Sequence, residues 1–303
     1  MSEPLIIAVP SKGRLKEQVE AWLADCGLKL SVSGGARGYM AEIRGLAGAQ
    51  VRLLSAGDIA EALDSGEVHL GITGEDLLRE RGGDLDSRAL LLRALGFGRA
   101  DLVVAVPKSW LDVETMADLE EVAHDVLART GRRMRAATKY LTQTRAFFAR
   151  HGVADYRIVE SNGATEGAPA AGTAEVVVDI TTTGATLAAN GLKILADGVM
   201  LKSQAQLAAG LGATWSTEQL GVAEHLLRVV EARGKAHDSA ALDWPAGDPE
   251  DAAQLVPVDQ VAAVATRLTR EGKGPVTASR PDFVFETRCE SYERLETRLK
   301  TGH

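Results

Sequence analysis

"AEVVVDITTTGATLAANGL" (residues 174–192) changes from a strand-like to a helix-like pattern, with threonines and a glycine at the join. Three consecutive valines are typical of a buried parallel strand, and the Ala/Leu-rich run before Asn190-Gly191 favours a short helix. A strand that leads through a Gly/Thr loop into a helix N-terminus gathers backbone amides and hydroxyls, and proteins hold phosphate in this way. An ordinary strand-to-helix turn with a threonine cap explains this stretch alone equally well.

Short β-branched runs and amphipathic stretches alternate along the chain before this segment. The runs that predict strands are 5–10, 49–56, 67–73, 100–107, 133–140 and 155–161. The stretches that predict helices are 14–28, 57–66, 74–83, 115–131 and 141–152. This β/α alternation predicts parallel sheets flanked by helices.

Two segments about a hundred residues apart resemble each other. Residues 67–82 and 175–191 each have a strand pattern, then Ile-Thr, then a turn into a helix. Chance similarity between two β-α units is one explanation. The other is a pair of similar lobes with a cleft between them, and such clefts commonly bind ligands.

The composition narrows the class of protein. The chain has 303 residues, 45% of them hydrophobic, and a formal net charge of −8, which disfavours non-specific nucleic-acid binding. Its apolar runs are far shorter than a membrane span, and its N-terminus lacks the pattern of a secretory signal. Two cysteines, Cys26 and Cys289, do not suggest a disulfide framework. We expect a cytoplasmic protein without a membrane or nucleic-acid partner.

The character of the sequence changes after Gly234. Residues 235–257 are dense in Pro, Gly and Asp and are predicted to be a linker. Beyond it, 258–272 predicts a helix with an apolar stripe, 281–286 a strand and 291–300 a charged helix. We expect a small α/β appendage used in assembly or regulation rather than in chemistry.

The segment "VPSKGRLKE" (9–17) places Lys12 and Arg14 between a predicted strand and the start of a helix. Cations at a helix N-terminus oppose the helix dipole, so an anionic partner is favoured over a solvated basic turn. The two side chains are therefore candidate phosphate ligands.

Two further segments are candidates for ligand binding only in combination with the segments described above. Residues 132–145 contain five cations, and Lys139 and Arg145 lie on either side of a strand-helix join. Taken alone, a solvated basic face is the better interpretation. Residues 161–172 surround Glu166 with small residues, which suits hydrogen bonds to sugar hydroxyls, although a flexible loop explains the pattern as well.

Other site patterns are absent from the sequence. There is no G-x-x-x-x-G-K-[ST] loop and no G-x-S-x-G elbow, and the Gly pair in 95–101 precedes a strand, which is the wrong context for dinucleotide binding. The six histidines show no metal-ligand spacing, so no protein-held metal is predicted.

Together, four motifs resemble ATP phosphoribosyltransferase, the first enzyme of histidine biosynthesis. They are "VPSKGRLKE" (9–17), "DIAEALDSGEVHLGITGEDLL" (58–78), "ATKYLTQTRAFF" (137–148) and "GATEGAPAAGTAEVVVDITTTGATLAANGLKIL" (163–195). The resemblance implies a two-lobed α/β catalytic core like the type II periplasmic binding proteins, carrying here a small C-terminal α/β appendage. The expected divisions are 1–100 for lobe I, 101–193 for lobe II, 194–234 for the return to lobe I, and 235–303 for the linker and appendage.

The resemblance also implies a reaction and a site. N1 of ATP would attack C1 of phosphoribosyl pyrophosphate (PRPP), releasing pyrophosphate, with Mg²⁺ bound to the substrates. Lys12 and Arg14 would be the catalytic residues, acting on phosphates. PRPP would be bound by Glu166, Asp179, Thr181, Thr182, Thr183, Gly184, Ala185 and Thr186. ATP would be bound by Arg37, Asp76, Lys139 and Arg145.

The sequence departs from the family pattern in two places. An arginine usually precedes the second helix, where this chain has Ser55, Ala56 and Gly57, so an ATP-side cation is expected from elsewhere or from a partner subunit. The last 70 or so residues do not match the regulatory domain of the long family form, yet the chain is longer than the short form. A homo-oligomer is expected, and a histidyl-tRNA-synthetase-like regulatory subunit stays open as an additional partner. The alternative function is a two-lobed anion- or nucleotide-binding protein without catalysis.

Overall fold

The computed structural model of the chain describes residues 3–32, 40–161, 163–245 and 253–301. The strands are β1 (Leu5–Pro10), β2 (Lys29–Val32), β3 (Met40–Arg44), β4 (Ala49–Leu54), β5 (Leu70–Gly74), β6 (Ala89–Ala94), β7 (Ala100–Pro107), β8 (Met134–Thr138), β9 (Tyr156–Glu160), β10 (Val176–Thr181), β11 (Leu192–Ser203), β12 (Ala205–Gly210), β13 (Ser239–Asp243), β14 (Ala253–Pro257) and β15 (Thr277–Ser279). The helices are α1 (Gly13–Asp25), α2 (Ala56–Ser65), α3 (Glu75–Glu80), α4 (Leu85–Arg88), α5 (Met116–Thr130), α6 (Leu141–Arg150), α7 (Ala185–Ala189), α8 (Thr217–Asp238), α9 (Val261–Arg270) and α10 (Glu290–Thr301). The strands and helices predicted in the first half of the chain are confirmed, with shifts of a few residues at their ends.

The described strands form three sheets. The largest has the order β2-β3-β4-β1-β5-β12-β6, the second β11-β7-β10-β8-β9, and the smallest β14-β13-β15. In the second sheet, β8 lies between β9 and β10 and runs parallel to both. Because parallel strands end at the same edge, the segments that follow β8, β9 and β10 lie next to one another.

The expectation of parallel sheets is wrong, because both large sheets contain antiparallel pairs. β12 runs antiparallel to β5 and β6, and β7 runs antiparallel to β10 and β11. The sequence pattern locates strands, but strand direction depends on which distant segments pair, and that information is not local. The mixed α/β fold class itself is confirmed.

The second sheet is covered on both faces, which explains its valine-rich central strand. Val176 and Val178 pack with Tyr140 and Phe148 on one face, and Val177 packs with a smaller cluster on the other. All three valines have no exposed surface. Each fully buried valine contributes about 1.5–3 kcal/mol, so the strand that leads into the Thr/Gly loop is firmly anchored.

The C-terminal region differs from the sequence-based prediction. Residues 235–257 are not a simple linker, because they contain the end of α8 and the strands β13 and β14, with 246–252 outside the described residues. Residues 281–286 form no strand; instead the rings of Phe283 and Phe285 stack with centroids 5.9 Å apart. The predicted helical stripe is confirmed, since Val261, Val264 and Leu268 of α9 pack in a small core with Trp244.

The chain divides into two compact units. One comprises Ala8–Gln18 and Leu53–Ala213, and the other comprises Met1–Ile7, Val19–Arg52 and Thr214–His303. All predicted site residues except Arg37 fall within the first unit. The predicted divisions at residues 100, 193 and 234 stay a prediction. In the described part of the chain, no helix combines the length and the apolar character needed to cross a membrane.

Candidate active site

The carboxyl edge of β8, β9 and β10 brings together segments that are far apart in sequence. The amide of Ser161, after β9, donates to the carbonyl of Thr138 at the end of β8 (3.0 Å). The hydroxyl of Thr165, in the 3₁₀ turn Thr165–Gly167, donates to the hydroxyl of Ser161 (3.1 Å). This turn also contacts β10, so Lys139, Glu166 and Asp179 lie at one edge of the sheet.

The pKa of Asp179 is influenced by charged residues on the neighbouring segments of this edge. Burial raises the pKa of its carboxyl above the ordinary value, and the charge of Glu166 acts in the same direction. The amide of Ile180, which donates to the Oδ1 atom (2.8 Å), and the charge of Lys139 act in the opposite direction. Two carboxyls and one ammonium are therefore close enough to influence one another, in a partly exposed place that a polar ligand can reach.

The loop between β10 and α7 is ordered by its own threonines. Gly184 has a φ of 73°, in the left-handed region that favours glycine, and its amide donates to the Thr181 hydroxyl (2.8 Å). The Ala185 amide donates to the Thr183 hydroxyl (3.3 Å), and the Thr182 hydroxyl donates to the carbonyl of Arg99 (3.3 Å). One short loop thus brings amides and hydroxyls together, and groups of this kind can bind phosphate in proteins.

Lys12 and Arg14 lie at the end of another set of strands. The amide of Ser11, directly after β1, donates to the carbonyl of Leu54 at the end of β4 (2.8 Å). The hydroxyl of Thr73 at the end of β5 donates to the carbonyl of Ala56 (2.7 Å). The segments after these three strands are therefore neighbours. Both cations are exposed at the start of α1, whose first turn contains no acidic residue.

Ser55 is one of the three residues, with Ala56 and Gly57, that stand where the resemblance leads one to expect an arginine. Its hydroxyl accepts a hydrogen bond from the amide of Asp58 (3.2 Å) and caps the N-terminus of α2. The residue therefore has a structural task that an arginine side chain cannot perform.

Asp76, predicted on the ATP side, is buried, with 6% of its surface exposed. Its carboxylate accepts hydrogen bonds from the hydroxyls of Tyr140 (2.8 Å) and Ser203 (2.7 Å). Sequence reasoning missed both partners. The only local signal was a tyrosine directly after Lys139, and nothing in the sequence pairs it with an aspartate 64 positions earlier.

The remaining ATP-side predictions are less well placed. Arg145 is exposed on α6 and lowers the pKa of Tyr156, at the beginning of β9, against the larger effect of burial, which raises it. The described hydrogen bonds and ion pairs do not join Arg145 to Asp179 or Lys139. Arg37 lies outside the described residues. All the site assignments stay predictions.

A cavity of about 490 Å³ lies apart from the predicted site, between α3, α6 and β11. Arg79, Gln143, Arg150, Met200 and Leu201 are among its lining residues, and none of the predicted site residues lines it. Within the described ranges there is no cluster of His, Cys, Asp and Glu that could hold a metal ion. Chemistry rather than cavity size therefore identifies the candidate site.

A family model and full-length relatives of the chain all point to ATP phosphoribosyltransferase. The family model for HisG, ATP phosphoribosyltransferase, matches residues 55–231, more than half of the chain. The ATP phosphoribosyltransferase of Caulobacter vibrioides is 65% identical, and the match covers 99% of each chain. That of Bradyrhizobium diazoefficiens is 47% identical, covering 99% of this chain and 100% of its own.

One solved structure supports the assignment of the fold. A chain of the ATP phosphoribosyl transferase (HisG:HisZ) complex from Thermotoga maritima has a TM-score of 0.57 and 24% identity, covering 75% of this chain and 98% of its own. The periplasmic aliphatic sulphonate binding protein SsuA from Escherichia coli also aligns, with a TM-score of 0.43 and 13% identity over 99% of this chain and 89% of its own. On the family model and the full-length relatives, the chain belongs to the ATP phosphoribosyltransferase family.

Proposed function

We propose that this chain binds PRPP at the carboxyl edge of β8, β9 and β10 and transfers its phosphoribosyl group to ATP with the help of Lys12 and Arg14. The activity, ATP phosphoribosyl transfer in histidine biosynthesis, is that of the family. The observation that carries the site is the convergence of Glu166, Asp179 and Lys139 beside a loop of amides and hydroxyls.

In this proposal the loop at 181–186 binds the 5-phosphate of PRPP. The amides of Gly184 and Ala185 already donate to threonine hydroxyls, so a phosphate oxygen would take over bonds that the loop is shaped to make. Glu166 and Asp179 would accept hydrogen bonds from the ribose hydroxyls. Burial raises the pKa of Asp179, and hydrogen bonds from ribose hydroxyls would act against this effect by stabilising the charged carboxylate.

The cations act on the departing group. Breaking the bond between C1 and the pyrophosphate oxygen develops positive charge on the ribose and negative charge on pyrophosphate. Lys12 and Arg14 would form charge-assisted hydrogen bonds that strengthen as this charge grows, and such bonds lower the barrier rather than only tightening binding. Both side chains are exposed and free of acidic neighbours in the first turn of α1, as this role requires.

The attacking atom needs no strong base. N1 of adenine is a neutral nucleophile, so the main task of the protein is to hold two anionic substrates in line. Lys139 is proposed to lie on the ATP side, together with Arg37 and Arg145. The carboxylate of Asp76 already accepts two hydroxyl donors, so Asp76 is proposed to act on the ATP side without touching ATP.

Magnesium is proposed to arrive with PRPP rather than to reside in the protein. Mg²⁺ prefers oxygen ligands and keeps substrate phosphates and waters in its shell, and the oxygens of Asp179 and Glu166 at this edge suit it. When bound, it would neutralise charge on the pyrophosphate.

Assembly and location are also proposals. The Thermotoga maritima neighbour is part of a HisG:HisZ complex. We propose that this chain forms a homo-oligomer, that a HisZ-like subunit is a candidate partner, and that the C-terminal segment of residues 235–303 serves assembly or regulation. A cytoplasmic location suits a biosynthetic enzyme of this family.

The direct test follows product absorbance and pyrophosphate release after ATP, PRPP and Mg²⁺ are mixed, with and without histidine and a candidate partner subunit. Asp179→Asn and Glu166→Gln should each raise the KM for PRPP at least about fivefold, whereas Glu121→Gln on the exposed side of α5 should not. Binding of either substrate without pyrophosphate release would favour the non-catalytic alternative. Unchanged PRPP kinetics in both site variants would remove this edge from the site.

A further inference from the structure

Five polar residues connect α3 to the β8–α6 junction, and we call them the α3–α6 clamp: Asp76, Glu80, Tyr140, Gln143 and Ser203. Asp76 is at its centre, with its carboxylate bonded to the hydroxyls of Tyr140 and Ser203 at 2.8 and 2.7 Å. The amide of Asp76 donates to the Ser203 hydroxyl (3.0 Å), and its carbonyl accepts from the side chain of Gln143 (2.9 Å). Tyr140 is fully buried, so its hydroxyl depends on this partner.

Glu80, one helical turn after Asp76, completes the clamp. The helix α6 has no capping hydrogen bond from its own N-cap side chain. Instead, the carboxylate of Glu80 accepts from the amides of Thr142 (2.8 Å) and Gln143 (3.2 Å). A carboxylate at a helix N-terminus satisfies amides that lack intrahelical partners and complements the helix dipole. The start of α6 is therefore fixed by a side chain from α3.

The residue that this arrangement holds in place is Lys139. It is exposed, while its neighbours Thr138 and Tyr140 have no exposed surface. The hydroxyl of Thr138 accepts from the amide of Tyr140 (2.9 Å), so the backbone on both sides of Lys139 is tied down. Its ammonium lies 5.0 Å from the centre of the Tyr140 ring and within electrostatic reach of Asp179.

We propose that the clamp positions Lys139 for the reaction, so that Asp76 and Glu80 act through Lys139 and do not themselves touch ATP. The inference rests on the proposed function in one respect, namely that Lys139 lies against substrate. In the clamp, each carboxylate oxygen of Asp76 accepts a hydrogen bond from a hydroxyl group. The clamp also places the buried ring of Tyr140 under the ammonium of Lys139. Loosening the clamp should therefore misplace one cation without removing any group that binds substrate.

A kinetic double-mutant cycle tests this. Tyr140→Phe keeps the ring but removes the hydroxyl that Asp76 holds, and it should lower kcat/KM about fivefold in the wild-type background. Once Lys139→Ala has removed the cation, adding Tyr140→Phe should change kcat/KM less than about twofold, because coupled residues are not additive. Glu80→Ala, which removes the external cap of α6 and alters no buried group, should show the same dependence on Lys139.

The control is Thr115→Ala, which removes the N-cap of α5 in the same compact unit. It should lower the thermal midpoint as Glu80→Ala does and leave kcat/KM unchanged. If Lys139→Ala alone has normal kinetics, the proposed site is wrong at Lys139, and the inference fails with it. If Lys139→Ala is impaired but Tyr140→Phe and Glu80→Ala lower kcat/KM by the same factor in both backgrounds, the proposed site stands and the positioning role is overturned.

Discussion

The loop that follows β10 can be tested by adding a single methyl group to Gly184. This residue precedes α7 with a φ of 73°, a conformation that residues with a side chain rarely adopt. The Cβ atom of an alanine would lie 3.6 Å from Cδ1 of Ile194, which is an ordinary van der Waals distance. Gly184→Ala therefore strains the backbone without crowding a neighbour.

The size of the effect follows from that conformation. Holding a residue with a side chain in the left-handed region costs about 1–2 kcal/mol. If the backbone rotates to escape this cost, the amides of Gly184 and Ala185 leave the hydroxyls that they meet at 2.8 and 3.3 Å. Losing two such donors to a phosphate should weaken PRPP binding about tenfold or more.

A matched control lies at the other end of the same helix. Gly191 also has a φ of 73°, and no heavy atom lies within 4 Å of the position of an added Cβ. Gly191→Ala should thus lose a similar amount of stability in urea unfolding. Isothermal titration with PRPP should then separate the variants, with weakened binding in Gly184→Ala only.

Two results would refute this reasoning. If Gly184→Ala is destabilised but binds PRPP within about twofold of the wild type, the loop does not hold the 5-phosphate. If both variants lose affinity equally, the loss reflects the stability of α7 and not the direction of the loop amides.

Three other predictions concern separate parts of the molecule. Arg14→Ala should lower kcat/KM at least about tenfold, which equals ~1.4 kcal/mol of transition-state stabilisation, whereas Arg132→Ala, at an exposed position, should leave kcat/KM unchanged. If Arg14→Ala has the same kcat/KM as the wild type, Arg14 lies on a solvated turn. The Arg233 guanidinium holds the pKa of Asp25 at about 2, below its usual 3.8, so the stability that this carboxylate contributes is present above pH ~4 and lost as the pH falls towards 2. Asp25→Asn should therefore unfold at a lower urea concentration than the wild type at pH 7, and its urea midpoint should fall less between pH 4 and pH 2. If the urea midpoints of the two proteins change in parallel with pH, this prediction is wrong. Burial raises the pKa of Cys289 from 9.0 to about 11. At pH 8 the thiol of Cys289 should therefore react with iodoacetamide about a hundredfold more slowly in the native protein than in urea. Equal reaction rates in the native and the urea-unfolded protein would show that the native thiolate is accessible.

The local sequence pattern was sufficient to predict the structure of the strand-loop-helix unit that carries part of the candidate site. The three valines at 176–178 are buried on both faces of the sheet, and the turn at Gly184 has the positive φ that a glycine suits. Both features depend on neighbours within a few residues, so the sequence around them contains the information.

Contacts between distant segments could not be predicted in this way. The aspartate–tyrosine bond between positions 76 and 140 depends on how two sheets place α3 against α6, and strand direction in those sheets was itself wrongly predicted. Residues 281–286 contain three consecutive apolar residues, Phe283, Val284 and Phe285, which are typical of a strand, yet the three-stranded sheet pairs β13 with β14 and β15 instead. A strand forms only where a partner edge is available, and single-sequence patterns do not reveal the partner.

The loop at 181–186 contains only Thr, Gly and Ala, so it carries no formal charge. Neutral donors depend little on ionic strength, whereas exposed ammonium and guanidinium groups are screened over a Debye length that shrinks from about 10 Å at 0.1 M salt to about 3 Å at 1 M. The two ends of a bound PRPP molecule would then respond differently to potassium chloride. In the proposed site, added salt would weaken the contacts of Lys12 and Arg14 with the pyrophosphate and leave the contacts of the loop with the 5-phosphate nearly unchanged. Varying the ionic strength would therefore separate binding of PRPP from stabilisation of its leaving group.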